Sequence, residues 1–341
     1  MSKIELIFRE NMDEYVSKIK EENPNVKFYS HSRLGNFNQC KRGYYHTYVD
    51  KKEQKPSVYS TLGTAAHSTL ENLYEGKTEI LDNNIFLEEF SKCELFGINF
   101  PVSKFDIKGG YKKDIDNFYK VYNKIESKEG DKFISELGFI LKIDEDHYEM
   151  GYIDLLVLHN DNTCDIYDFK TSSDFDAKKV VEAGRQLILY KIAIEQLYGI
   201  KVNKVAWQML KYVQVKVGNN ATKYALKGRE WVKKCSSQIK TLMKKLGYDT
   251  DLISMYVSKA EADNSIDCLP NDVKELIYVD VYTREYEVTD ALIKECIDYT
   301  RNTIRDIEAM NFADISVWPC EVDDFFCCNL CGFYPKHCQK E

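Results

Sequence analysis

Two short acidic strings carry the side chains best suited to chemistry. Gly151-Tyr152-Ile153-Asp154 is followed by Asp165-Ile166-Tyr167-Asp168-Phe169-Lys170. On a strand, Asp168 and Lys170 point to one face while Tyr167 and Phe169 point to the other, into a core. Two carboxylates and an ammonium at adjacent strand ends can hold Mg²⁺ or Mn²⁺ through oxygen, with the lysine beside an attacking water. The same pattern also fits exposed strand-end carboxylates beside a surface lysine. Three other features bear on the choice. His67 stands in Gly63-Thr64-Ala65-Ala66-His67, on a helix whose other face is apolar, where a lone histidine is more often a core or capping residue. Glu136 lies on the preceding strand and can point toward the same sheet edge. Gln186 and Tyr190, four apart, share one face of the following helix.

The cysteines form a second constellation. The chain has 11 of them. Cys93, Cys164, Cys235, Cys268 and Cys296 are scattered singly, whereas Cys320, Cys327, Cys328, Cys331 and Cys338 crowd the C-terminal stretch. The opening Met1-Ser2-Lys3-Ile4-Glu5 lacks the apolar run of a secretory signal, so metal or cluster ligation is expected over a disulfide framework. Cys328-x-x-Cys331 alone suits zinc, a redox motif or an iron–sulfur cluster. Cys338 follows closely, and Cys40 lies far upstream in Asn38-Gln39-Cys40-Lys41-Arg42.

Hydrophobic periodicity supplies the elements that must position these groups. The first 27 residues read as a charged helix with Ile7, Met12, Val16 and Ile19 as its apolar stripe. Leu62, Ala66, Leu70 and Leu73 mark a helix over 61–74, and 82–130 reads as helical with a break at Gly109-Gly110. Strands are predicted over 133–143, 149–158 and 163–170, the last two separated by Asn160-Asp161-Asn162. A helix over about 176–197 and a strand over 204–217 follow. That β-β-β-α-β order predicts an α/β core with a partly parallel sheet, because the last strand follows a helical crossover. Residues 218–275 read as a charged helical insertion, 276–286 as a strand, and Ile293, Ile297, Thr300, Ile304 and Ile307 as the apolar face of a final helix.

Composition sets the bounds. Of 341 residues, 44% are hydrophobic and 13% aromatic, while Gly 16 and Pro 6 are few, which excludes a disordered or collagen-like chain. The formal charge of −8 argues against a protein coated for non-specific nucleic-acid binding, though it leaves room for a local basic groove. No stretch approaches the roughly 18 apolar residues of a membrane span. No Gly-x4-Gly-Lys-Ser/Thr loop is present, so no ATPase motor is expected.

Gly63-x-x-x-His67, Glu136, Gly151-x-x-Asp154, Asp168-x-Lys170 and Gln186-x-x-x-Tyr190 occur in an order that resembles the PD-(D/E)XK nuclease superfamily. Within it the chain looks like the RecB-like branch, which includes AddB-type recombination exonucleases and CRISPR adaptation nucleases. The acid-x-Lys element is Asp168-x-Lys170, where many members carry Glu. The resemblance implies a restriction-endonuclease-like α/β fold: a mixed sheet flanked by helices, with helical insertions. It implies a Mg²⁺ or Mn²⁺ site formed by His67, Asp154, Asp168 and the carbonyl of Phe169. Lys170 would orient the water, Gln186 and Tyr190 would line the DNA strand, and Glu136 would be a supporting acid.

Members of the branch also bind a [4Fe–4S] cluster with one Cys before the core and a Cys-x-x-Cys…Cys after it. By that resemblance Cys40, Cys328, Cys331 and Cys338 would hold the cluster and staple the chain's ends, with Cys320 and Cys327 as spare ligands and a Cys₄ Zn²⁺ site as the alternative. Among the paired cations, Lys41-Arg42 with nearby Tyr44 are the better phosphate or base contacts, because the cluster would hold them near the cleft.

The sequence therefore predicts one compact nuclease in four parts. They are an N-terminal helical region (1–131), a nuclease core (132–217), a helical insertion with a closing strand and helix (218–312), and a cysteine-rich tail (313–341). The expected activity is metal-dependent cleavage of DNA, exonucleolytic on single-stranded ends, in recombination, repair or phage DNA processing. DNA, a helicase or recombination partner, no membrane and a bacterial or phage-infected cytoplasm complete that expectation. The opposing readings are a non-catalytic DNA-binding or assembly subunit that keeps the fold, and a zinc-stabilised interaction protein.

Overall fold

A computed structural model describes residues 6–338. In chain order the helices are α1 (Met12–Glu22), α2 (His31–Gln39), α3 (Lys41–Tyr44), α4 (Val58–Tyr74), α5 (Asn84–Leu95), α6 (Ile107–Val121), α7 (Ala177–Ala193), α8 (Trp231–Lys245), α9 (Thr250–Asp263), α10 (Asn271–Lys274), α11 (Asp290–Glu308) and α12 (Asp324–Asn329). The strands are β1 (Lys27–Tyr29), β2 (Lys132–Lys142), β3 (His147–Leu158), β4 (Thr163–Lys170), β5 (Lys201–Val217), β6 (Lys223–Lys227) and β7 (Ile277–Glu285). They form one mixed seven-stranded sheet flanked by helices, consistent with the expected restriction-endonuclease-like α/β fold.

The three antiparallel strands β2–β3–β4 are joined by short turns, and β4 then pairs parallel to β5 across the α7 crossover. Strand β7 pairs antiparallel to β5. Alternation along the strands separates two cores. One face packs Ile153, Ile166 and Trp207 against Leu187 and Ile188 of α7, with Cys296 of α11. The other packs Leu155, Tyr167 and Phe169 against Leu62, Ala66 and Leu70 of α4 and Ile115 of α6. Tyr167 and Phe169 thus lie in the core opposite Asp168, as alternation predicts. The far half of β5 builds a third cluster with α8 and α9, where Val215 and Val217 meet Trp231 and Ile239.

Several sequence expectations are corrected. Residues 6–10 are not helical: Ile7 bridges Gly138 of β2, and α1 begins at Met12. Gly109 and Gly110 lie inside α6 rather than breaking it, since a side chain at Gly110 would collide with the Arg229 guanidinium. The break falls instead between α5 and α6. The 218–275 insertion opens with β6, which folds back on β5. Strand β1, too short for a periodic signal, pairs parallel to β3 through Phe28 and Tyr148. Among the described residues, no helix is long and apolar enough to cross a membrane.

Candidate active site

Four elements deliver the side chains singled out above to one end of the sheet. Asp154 comes from β3, Asp168 and Lys170 from the end of β4, His67 from α4, and Gln186 and Tyr190 from α7. The motif glycines make this approach close enough. A side chain at Gly63 would press on Thr171 Oγ1 just beyond β4, and one at Gly151 would press on the Phe139 ring. Helix α7 is started by Asp176, whose side chain accepts from Lys179 N at 2.9 Å. The preceding loop is pinned by Arg284, which donates to Asp174 Oδ1 at 2.8 Å and to the Phe175 carbonyl at 3.0 Å.

The groups make a connected chain. Phe169 N donates to Asp154 Oδ2 at 2.7 Å, and His67 Nδ1 lies 3.6 Å from that same oxygen. Lys170 Nζ stands 2.6 Å from Asp168 Oδ2 and donates to Gln186 Oε1 at 3.0 Å. Gln186 Nε2 donates in turn to the Tyr190 hydroxyl at 2.6 Å. Asp168 is 1% exposed, yet neither of its oxygens accepts a well-aligned hydrogen bond. A buried carboxylate whose only close partner is a point charge has lone pairs left for a further cation.

Electrostatics set the protonation states. Burial, reinforced by the charge of Asp168, holds the Asp154 carboxyl well above the usual carboxylate range. Burial also lowers the His67 imidazole, so it is neutral near pH 7 with a lone pair free to bind metal. For Lys170, burial opposes the charge, but Asp168 and Asp154 outweigh it and raise the ammonium. Lys170 therefore stays protonated beside the acids.

A family model of the PD-(D/E)XK nuclease superfamily matches residues 29–335, which span every group just described. The chain belongs to the PD-(D/E)XK nuclease superfamily. Members of that superfamily are generally nucleases that use divalent metals. No curated protein matches the chain.

For a PD-(D/E)XK metal site the donors fit in kind: carboxylate oxygens with unused lone pairs and one neutral imidazole suit a hard divalent cation. Among the described residues, no three His, Cys, Asp or Glu side chains already converge tightly on a single ion. Glu136 also joins the site. Its charge reaches His67 and Asp154, and its carboxylate pairs with Arg9 at 2.6 Å. Glu71, one helical turn beyond His67, adds another acid within reach of Glu136. Its spacing of four from His67 is a signal the sequence contained. Arg9 had no such signal, since it lies outside every motif.

Of the nucleic-acid contacts expected near Cys40, the stacking role of Tyr44 is corrected. Tyr44 is fully buried, stacked on Trp318 and edge-on to Phe37, so its ring offers no face to a base. Arg42 donates from Nε to the Trp318 carbonyl, and Lys41 pairs with Glu321 at 3.7 Å. These cations fasten the N-terminal region to the C-terminal segment.

That fastening gathers thiols. Cys338 Sγ lies 3.8 Å from Cys320 Sγ, and Cys40 lies beside Cys320 with Cys331 in electrostatic reach. Burial pushes the Cys40 thiol up to about 11 and Cys338 to about 12, each raised further by its cysteine neighbours. Cys328, by contrast, is exposed and lies beside Tyr334. Cys327 is buried. Cys320 and Cys331 thus lie within electrostatic reach of both Cys40 and Cys338, without converging on a single ion among the described residues. Four thiols drawn from both ends of the chain suit a thiophilic metal group in chemical kind.

Proposed function

We propose that the chain is a divalent-metal-dependent deoxyribonuclease acting on DNA with free ends, single-stranded ends first. The observation that carries the reading is the buried Asp168 carboxylate with no aligned hydrogen-bond donor, placed between Lys170 and Asp154. Mg²⁺ or Mn²⁺ bound by Asp154, Asp168, His67 and the Phe169 carbonyl would supply charge neutralisation and a more acidic water. The chain's own residues do the rest. Lys170, kept protonated by both aspartates, is no general base; its ammonium orients the attacking water and stabilises negative charge on the phosphate. Gln186 holds that ammonium in place through its side-chain oxygen, and the Tyr190 hydroxyl anchors Gln186. The Phe169 amide fixes the Asp154 carboxylate, which would help to hold the cation.

The thiol group is proposed to hold a [4Fe–4S] cluster through Cys40, Cys331, Cys338 and Cys320, with no part in hydrolysis. Cys320 takes the fourth place in this reading because it neighbours both Cys40 and Cys338, while Cys328 faces solvent. Recombination, repair or phage DNA processing in a bacterial cytoplasm, alongside a helicase or recombination partner, is the setting in which such an enzyme would act.

Purified protein incubated with end-labelled linear and circular DNA, single- and double-stranded, tests the reading. Mg²⁺ or Mn²⁺ should support degradation of linear single strands, and EDTA should stop it. No cleavage of any substrate with either metal would favour a non-catalytic DNA-binding or assembly subunit.

A further inference from the structure

The mouth of the site is acidic where its substrate would be anionic. Glu71, Glu136, Asp154 and Asp168 cluster there, and the sheet cation beside them, Lys170, is already committed to Asp168. The missing positive charge arrives from a segment that precedes the family match at residue 29. Arg9 places Nη2 at 2.6 Å from Glu136 Oε2 and its guanidinium carbon 5.3 Å from the centre of the Tyr152 ring.

The segment that carries Arg9 is built, not draped. Gly138 N donates to the Ile7 carbonyl at 2.7 Å, and Tyr198 accepts from Ile7 N while donating to the Gly138 carbonyl at 2.7 Å. Asn11 closes a turn over the next residues, accepting from Phe8 N at 2.7 Å. Glycine is required at 138, because a side chain there would strike both Ile7 and Met12. Yet the arginine on this rigid turn keeps 66% of its side chain exposed, against 20% for its partner Glu136. A planar fork that spends one nitrogen on Glu136 and is backed by an aromatic ring retains donors for a phosphate oxygen.

We propose that Arg9, supported by Tyr152, contacts a phosphate of the substrate strand beside the scissile one. This rests on the nuclease reading above. Glu136 then acts as the anchor that aims the guanidinium, and residues 6–11 as the arm that carries it into the active-site mouth.

Binding of the full-length protein to a fluorescein-labelled single-stranded oligonucleotide, in EDTA across a salt series, tests the contact without cleavage. Each lost phosphate contact on a single strand lowers the slope of log K against log salt by about 0.7. Arg9→Ala should show that loss and weaker binding, while Arg9→Lys, which keeps a charge, should restore the slope. In steady-state cleavage Arg9→Ala should raise KM with little change in kcat. Arg9→Gln, which can still bond Glu136, carries the same test if the alanine variant does not fold. Wild-type affinity and slope in Arg9→Ala or Arg9→Gln would overturn the proposal and leave Arg9 a counter-ion of Glu136. Wild-type protein that binds no strand and cleaves none would instead overturn the nuclease reading itself.

Discussion

Glu136 and Asp154 face each other across a register position that β2 and β3 leave unpaired, between the Ser135–Leu155 and Leu137–Ile153 pairs. Glu136 has φ of 51° there, in the left-handed region that disfavours any residue but glycine. Such a conformation costs on the order of 1–3 kcal/mol and persists where surrounding structure enforces it. The local break releases two acids from the ladder at the point where the site needs them.

Relieving that strain should separate stability from activity. Glu136→Gly removes the backbone penalty and one exposed ion pair worth about 0–1 kcal/mol. The expected result is an unchanged or higher thermal midpoint with reduced turnover. A lower midpoint with full turnover would contradict this account of the break.

Gln186 links Lys170 to Tyr190. Gln186→Ala should lower kcat by roughly 10–100-fold, the usual effect of losing a group that orients a metal-site residue. KM and the fold, followed by circular dichroism, should change little. Wild-type kcat in that variant would show that Lys170 needs no such support.

The thiol group is checked by elemental analysis of anaerobically prepared protein. About four irons per chain are expected, lost in Cys40→Ala and Cys320→Ala and retained in Cys328→Ala. Zinc without iron would replace the cluster by a Cys₄ zinc site. Full iron in Cys320→Ala with loss in Cys328→Ala would return the fourth place to Cys328.

Glu149 provides a pH dependence independent of the metal site. It is fully buried on β3, with one oxygen accepting from Thr300 Oγ1 at 3.3 Å and the other unpartnered. Burial, only partly offset by that hydrogen bond, raises its carboxyl from an ordinary 4.5 to about 7. Between these values the folded chain keeps a proton that the unfolded chain releases, so stability falls as pH rises and levels off above the upper one. The integrated effect is roughly 3 kcal/mol. Glu149→Gln should flatten the profile of urea midpoint against pH from 4.5 to 7. An unaltered profile would place the titration elsewhere.

How far the sequence could be read depended on the range of the interactions involved. The strands over 132–217 and helix α7 followed from local period, the grouping of His67, Asp154, Asp168, Lys170, Gln186 and Tyr190 was implied by the family resemblance, and the structure brings those side chains together. What spacing could not show was long-range. Arg9 reaches Glu136 only because Ile7 pairs with Gly138, a contact between distant segments. Tyr44 resembles a stacking residue in sequence, but Trp318, far along the chain, covers its ring. Cys320 stands apart from the Cys-x-x-Cys string, and only the folded tail sets it against Cys338. Gly109-Gly110 signals a break by composition, whereas the approach of Arg229 gives Gly110 its purpose inside a helix.

The most direct test of the central claim is the cleavage rate of purified Asp168→Ala on end-labelled single-stranded DNA in Mn²⁺, measured beside wild type at matched fold content. The account requires Asp168 to bind the cation and to hold Lys170 charged. It therefore predicts a rate lower by at least about 10²–10³-fold, the scale of losing one preorganised charge-stabilising group. Wild-type cleavage by folded Asp168→Ala would contradict it.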